Sequence, residues 1–150
     1  MADNQVNIKN KRATFEFEIL DKYVAGMELM GTEIKSIRNG KAGLNEAYCT
    51  FVGDELFVLG MHIGHYENEG HFNHEEKRQR KLLLERKELD KLHKKVKEKG
   101  LTIIPLKIFL SNNRWAKLEI ALAQGKKIYD KREDLKKKDA KREIDRMNKR

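Results

Sequence analysis

The sequence predicts a mainly β fold: a small closed antiparallel barrel carrying two or three packed helices, followed by a basic tail outside the core. Three observations lead there. Short β-rich or alternating apolar runs recur through residues 1–125, helical periodicity is confined to two segments, and residues 126–150 are too charged to build a core. Few strands of this length pack as an open sheet without exposed edges, and closure into a barrel removes those edges.

The elements follow in order. "TFEFEIL" (14–20) sets Phe15, Phe17 and Ile19 against Glu16 and Glu18, the period of a half-buried strand. "AGMELMG" (25–31) reads as a second short strand between glycines. In "TEIKSIRNG" (32–40), Thr32 can cap a short helix, Ile34 and Ile37 share a face, and Gly40 can end it. "EAYCTFVGDELFVLG" (46–60) is a hairpin turning at Gly53-Asp54. Residues 61–80 are polar, His-rich and aperiodic, which predicts a long loop. "LLLERKELDKLHKKVKEKG" (82–100) has Leu89, Leu92 and Val96 at helical spacing and Gly100 as a stop. Three leucines in a row cannot all lie on one helix face, so one of them is a candidate for exposure. "LTIIPLKIFL" and "WAKLEIALA" are the closing strands, with Pro105 marking an edge or a bulge.

Composition narrows the function. The 150 residues suit one domain, residues 1–125, and an appendage, residues 126–150. The formal net charge is +9, and the appendage alone carries 12 Lys/Arg against 6 Asp/Glu. Such a balance favours polyanionic partners, nucleic acid before membrane. No apolar run approaches the roughly 20 residues that span a bilayer, and "MADNQVNIKN" has no apolar stretch of leader type. A cytoplasmic protein without membrane association is expected. Cys49 stands alone, so it forms no intramolecular disulfide and reads as a small apolar strand residue.

Catalytic chemistry finds little to stand on. His62, His65, His71 and His74 have H-x2-H-x5-H-x2-H spacing, yet no cysteine or carboxylate is placed with them as zinc sites usually require, and a polar loop is the simpler reading. No metal or cofactor is expected. "QGKK" lacks the earlier glycine of a phosphate-binding loop, because Ile120 occupies that position. Glu16 and Glu18 belong on a solvated strand face. Basic groups are better supplied: Asn10, Lys11 and Arg12 before the first strand, Lys35 and Arg38 on the short helix, Arg80 and Lys81 before the leucines, and Lys117 on the last strand. Together they suit a folded RNA backbone, where affinity comes from phosphate neutralisation and shape.

Motifs in "NKRA" (10–13), "GTEIKSIRNGKA" (31–42), "RQRKLLL" (78–84) and "GKKIYDKR" (125–132) occur in an order that resembles the small protein B family, the SsrA-binding proteins of bacteria. The resemblance covers roughly residues 7–146. It implies an oligonucleotide-binding (OB) barrel with packed helices that binds the tRNA-like domain of transfer-messenger RNA and is not an enzyme. Partners implied are that RNA, its alanyl form with elongation factor Tu, and the stalled ribosome, with the protein acting as a monomer. The implied RNA face draws on Asn10, Lys11, Arg12, Leu83 and Lys117. One departure is Val24, which stands where family members commonly carry an acidic residue.

The resemblance also gives the tail a role: entry into the empty message channel, with Lys126, Lys127, Tyr129, Asp130, Lys131 and Arg132 at its start. The residues agree with a segment that is disordered alone and helical when bound. Asp130 and Glu133 can cap a helix, and Asp134 with Lys138 is a favourable i,i+4 pair. The apolar positions are too few to hold that helix in water. A permanent ribosomal protein and a zinc hydrolase are the rival classes, separable by cosedimentation with stalled ribosomes and by metal content.

Overall fold

The computed structural model describes residues 6–66, 73–112 and 114–125. In order, these form β1 (Asn7–Lys9), α1 (Ala13–Glu16), β2 (Phe17–Met27), α2 (Gly31–Arg38), β3 (Ala42–Gly43), β4 (Tyr48–Val52), β5 (Glu55–Leu59), β6 (His62–Ile63), β7 (Arg80–Leu83), α3 (Arg86–Lys99), β8 (Thr102–Ser111) and β9 (Trp115–Gly125). The expected mainly β architecture is met as a ring of strands. β8, β4, β5, β7, β2 and β9 pair in that order, β9 pairs again with β8, and β1 adds to β8. Every pairing is antiparallel. The joints are unequal: β9 runs beside both β2 and β8 for most of its length, whereas β4 meets β8 only at Cys49 and Ile103. β3 and β6 form a separate two-stranded sheet.

The start of the chain departs from the expected pair of strands. Ala13–Glu16 is one helical turn, and the strand then runs unbroken from Phe17 to Met27. Local hydrogen bonding explains the turn, since the carbonyls of Asn10 and Arg12 take the N–H groups of Ala13, Phe15 and Glu16. Glu16 therefore leaves the strand, while Glu18 keeps its exposed place. The single strand survives through "DKYV" because β9 pairs with it from Phe17 to Gly26, absorbing one irregularity between Ile19 and Asp21.

The punctuation residues behave as read. Gly40 (φ +74°) follows α2, Gly53 (φ +63°) turns the β4–β5 hairpin, and Gly100 (φ +62°) ends α3. Pro105 sits at a bulge, where β8 shifts register against β9 between Pro105 and Lys107. Thr32 does not cap α2: Met30 holds that position, and the Thr32 hydroxyl meets the His74 ring instead.

The core lies inside the ring and under α2 and α3, with Ile37, Leu56, Val58, Leu92, Ile108 and Leu118 fully buried. Cys49 is among the buried side chains, and that burial pushes its thiol pKa up. A smaller apolar cluster of Ala13, Ile104, Ala121 and Ala123 seats α1 against β8 and β9. "LLL" is split by strand alternation, not by a helix: Leu82 is buried and Leu83 is 46% exposed. The loop after β5 is not structureless, since His62–Ile63 pairs with β3 and Tyr66 and Asn73 exchange two 2.9 Å hydrogen bonds.

Candidate nucleic-acid interface

Residues directly opposite one another in an antiparallel pair point to the same side of the sheet. Following the register across β1, β8, β9, β2 and β7 sets Asn7, Phe109, Lys117, Gly26 and Leu83 in one row. The row beside it holds Lys9, Lys107, Glu119 and Val24. Both rows lie on the outer face of the ring, where Lys9 and Val24 are exposed and Lys107, Lys117 and Glu119 half-exposed.

Two residues singled out from sequence, Leu83 and Lys117, are therefore brought together, each opposite Gly26. A Cβ added at Gly26 would stand 3.4 Å from the Leu83 Cβ, in van der Waals contact with it. Lys81, two residues back along β7, extends the surface and stands 3.5 Å from the Glu55 carboxylate. Lys9 directly faces Lys107, and like charges in that position repel unless an anion lies between them. The ammonium of Lys107 also sits 5.6 Å from the Phe109 ring centroid.

At the β7 end the face runs into an apolar cavity of about 530 Å³, lined by Met30, Ile34, Leu83, Arg114 and Trp115. Trp115 is 63% exposed. The sequence reading passed over it, although a lone tryptophan immediately after a polar turn is a usable signal. Arg38 reaches this edge by donating to the Arg114 carbonyl at 3.2 Å. Lys35 lies nearby on α2, exposed but engaged, with its ammonium 5.2 Å from the Tyr66 ring centroid.

Asn10 proves to be a brace. Its amide nitrogen donates to the Pro105 carbonyl at 2.9 Å and its amide oxygen accepts the Arg12 N–H at 3.3 Å. Both functions of the side chain are thereby used within the fold. The result fixes the turn that holds out Lys11 and Arg12, which are exposed.

Arg80 corrects the sequence reading. Its side chain is fully buried, so it does not present a cation to an outside partner. Nε donates to Glu33 Oε2 at 2.6 Å, Nη1 to the Met61 carbonyl at 2.7 Å, and Nη2 to the carbonyls of Glu75 and Glu76. Glu33, equally buried, also accepts from Arg78 and from the Met30 N–H at 2.8 Å. Burial alone would raise the Glu33 pKa, but the hydrogen bonds from Arg78, Met30 and Arg80 outweigh it and hold the carboxyl below its ordinary range. One carboxylate and one guanidinium thus tie α2, β7 and the loop after β5 together.

The histidines divide. His74 is buried with both ring nitrogens engaged, Nδ1 with the Thr32 hydroxyl at 2.9 Å and Nε2 with the Ile63 carbonyl at 2.8 Å. His62 pairs with Glu76 at 2.7 Å, and that contact lowers the Glu76 pKa. His71 lies outside the described residues, as do Lys126, Lys127, Tyr129, Asp130, Lys131 and Arg132. Among the described residues no cluster of three or more His, Cys, Asp or Glu is arranged to hold a metal ion, and no helix is long and apolar enough to cross a membrane.

The model of the family described as "SmpB protein" matches residues 7–150. The chain belongs to the SmpB family. It is 57% identical over 144 residues to an SsrA-binding protein of Flavobacterium psychrophilum, covering 96% of both chains. A second SsrA-binding protein, from Christiangramia forsetii, is 55% identical over 146 residues, 97% of this chain and 93% of that one. A solved structure described as "tmRNA-SmpB: a journey to the center of the bacterial ribosome" is similar with a TM-score of 0.68 and 41% identity, over 82% of this chain and 86% of the other. SmpB membership extends past Gly125 into the basic tail, so body and tail belong to one family unit.

Proposed function

We propose that this SmpB-family chain binds the tRNA-like domain of transfer-messenger RNA through the outer face of β8, β9, β2 and β7. It then delivers that RNA to ribosomes stalled on messages without a stop codon. The observation that carries the interface is the register: Lys117 and Leu83 flank Gly26, beside a second row in which Lys9 faces Lys107. Family membership and the names of the relatives support the choice of RNA. The arrangement offers charge, an apolar side chain and fixed shape, which suits binding and positioning.

In this reading Lys11, Arg12, Lys81 and Lys117 neutralise phosphates, with Lys35 and Arg38 flanking them, and Leu83 makes apolar contact. Asn10 and Arg80 act indirectly, by holding the turn and the strand that present these groups. Residues 1–125 form the RNA-binding body. Residues 126–150 enter the empty message channel, where Lys126, Lys127, Lys131 and Arg132 meet ribosomal RNA, Asp130 caps a helix, and Tyr129 stacks on a base. The alanyl form of the RNA travels with elongation factor Tu, and the chain works as a monomer in the cytoplasm.

A binding competition tests the proposal. Unlabelled transfer-messenger RNA should displace its own labelled tRNA-like domain from the full chain at far lower concentration than ordinary elongator tRNA does. Equal displacement by both would overturn it.

A further inference from the structure

The second row ends in a concavity whose lining includes Asn10, Lys11 and Ala13 of the "NKRA" motif. It has a volume of about 550 Å³, inside the span of about 300–1,000 Å³ usual for ligand sites. Ala13, Ile19 and Leu106 supply an apolar floor. The rim carries Lys9, Lys11, Lys22 and Lys107 against a single carboxylate, Glu119. None of these lysines pairs with a carboxylate among the described residues.

The walls are built, not incidental. Irregularities on two strands lie beside the cavity, one on β2 between Ile19 and Asp21 and one on β8 between Pro105 and Lys107. Bulges re-aim side chains, here turning Ile19, Lys22, Leu106 and Lys107 toward a common space. The third wall is the turn locked by Asn10, whose N–H bonds the Leu106 carbonyl at 2.8 Å and whose amide bonds the Pro105 carbonyl at 2.9 Å.

An apolar floor inside a cationic rim matches one chemistry well: a flat ring flanked by phosphates. A lipid headgroup or a free anion would use the lysines and leave the floor idle, and an uncharged peptide would leave four lysines without a counter-charge. We propose that the cavity seats one unstacked nucleotide of the bound RNA, its base on the Ile19–Leu106 floor and its flanking phosphates between Lys9, Lys11, Lys22 and Lys107. This rests on the functional reading above and adds a site at which the protein takes hold of a single nucleotide. Base contact of this kind is available only where the RNA is unpaired.

The test uses synthetic tRNA-like-domain RNA with one abasic nucleotide placed at each unpaired position in turn, titrated against the full chain over a salt series. One position should lower affinity about tenfold, the scale of one apolar group losing its burial, and leave the salt slope unchanged because its phosphates remain. In Thr14→Trp the indole fills the cavity from an exposed position of α1. Intact RNA should bind that variant with the same deficit, and the abasic change should cost nothing further. Methyl NMR of the wild-type chain gives an independent reading: ring-current shifts at Ile19 and Leu106 on adding intact RNA, lost with the abasic RNA. Abasic costs that are identical in the two chains, or methyl shifts indifferent to the missing base, would overturn the nucleotide site while leaving RNA binding intact. Failure of the wild-type chain to bind the intact domain at all would overturn the functional reading itself.

Discussion

Arg80 and Lys117 are both basic residues on strands of the same ring, and they serve opposite ends. Around Arg80 every side-chain nitrogen finds an acceptor: a buried carboxylate and three backbone carbonyls are in place to meet it. Around Lys117 the neighbours are Gly26, Phe109 and Leu83, and no carboxylate pairs with it among the described residues. The difference teaches that basic character says little by itself. What separates these two cations is that the fold buries and saturates Arg80 and leaves Lys117 half-exposed.

The largest effect should follow from breaking the saturated region. Removing one partner of a buried ion pair typically costs about 3–5 kcal/mol, so Arg80→Ala should show a loss of that order in urea unfolding. Replacing Glu33 and Arg80 together by apolar residues should recover part of it, since no charge is then stranded. An Arg80→Ala chain of normal stability that failed to bind RNA would invert the comparison.

Acid should reach the same region. The Glu33 carboxyl has its pKa depressed in the folded state. Its stabilisation is therefore fully present above the unfolded carboxylate value of about 4.3, and is lost as pH falls through the lower folded value. Unfolding free energy should drop with acidification below about pH 4, and the part owed to this group should be missing in Glu33→Gln. A pH profile identical in the two chains would remove Glu33 as the source.

Smaller effects belong to the open region and the tail. Tyr129→Ala should lower peptide tagging on stalled ribosomes about tenfold, from a stacking contribution of about 1–3 kcal/mol, while Tyr129→Phe should not. Lys117→Ala should reduce the log–log salt slope of RNA binding by about 0.7–0.9, whereas Leu83→Ala should weaken binding at unchanged slope. Neither should move the thermal midpoint appreciably. The least effect on stability is expected from ending the chain at Gly125, because residues 126–150 are too charged to build a core. A body that unfolded without residues 126–150 would show that the two parts are not separable.

How legible these features were depended on the distance over which they are decided. Gly40, Gly53, Gly100 and Pro105 were read correctly because their conformations are set by neighbours along the chain. The first strand was misplaced at its start because the carbonyls of Asn10 and Arg12 compete locally for its N–H groups. The burial of Arg80 depends on Glu33, far away in sequence, and nothing near position 80 announces it. Likewise the meeting of Leu83 and Lys117 is a matter of register across three strands, and the cavity between β2 and β8 has a bulge on each of them. Residue type proposed the candidates; pairing sorted them.

The position of β9 has a consequence for how the molecule is made. It is the last strand among the described residues, it lies between β2 and β8, and it carries Lys117. During synthesis β2 and β8 each lack one neighbour until Gly125 leaves the exit tunnel, and pairings between distant parts of a chain form slowly. The outer face that carries Lys117 is therefore completed only when β9 joins β2 and β8. A chain cut short of β9 lacks both Lys117 and the strand that joins β2 to β8.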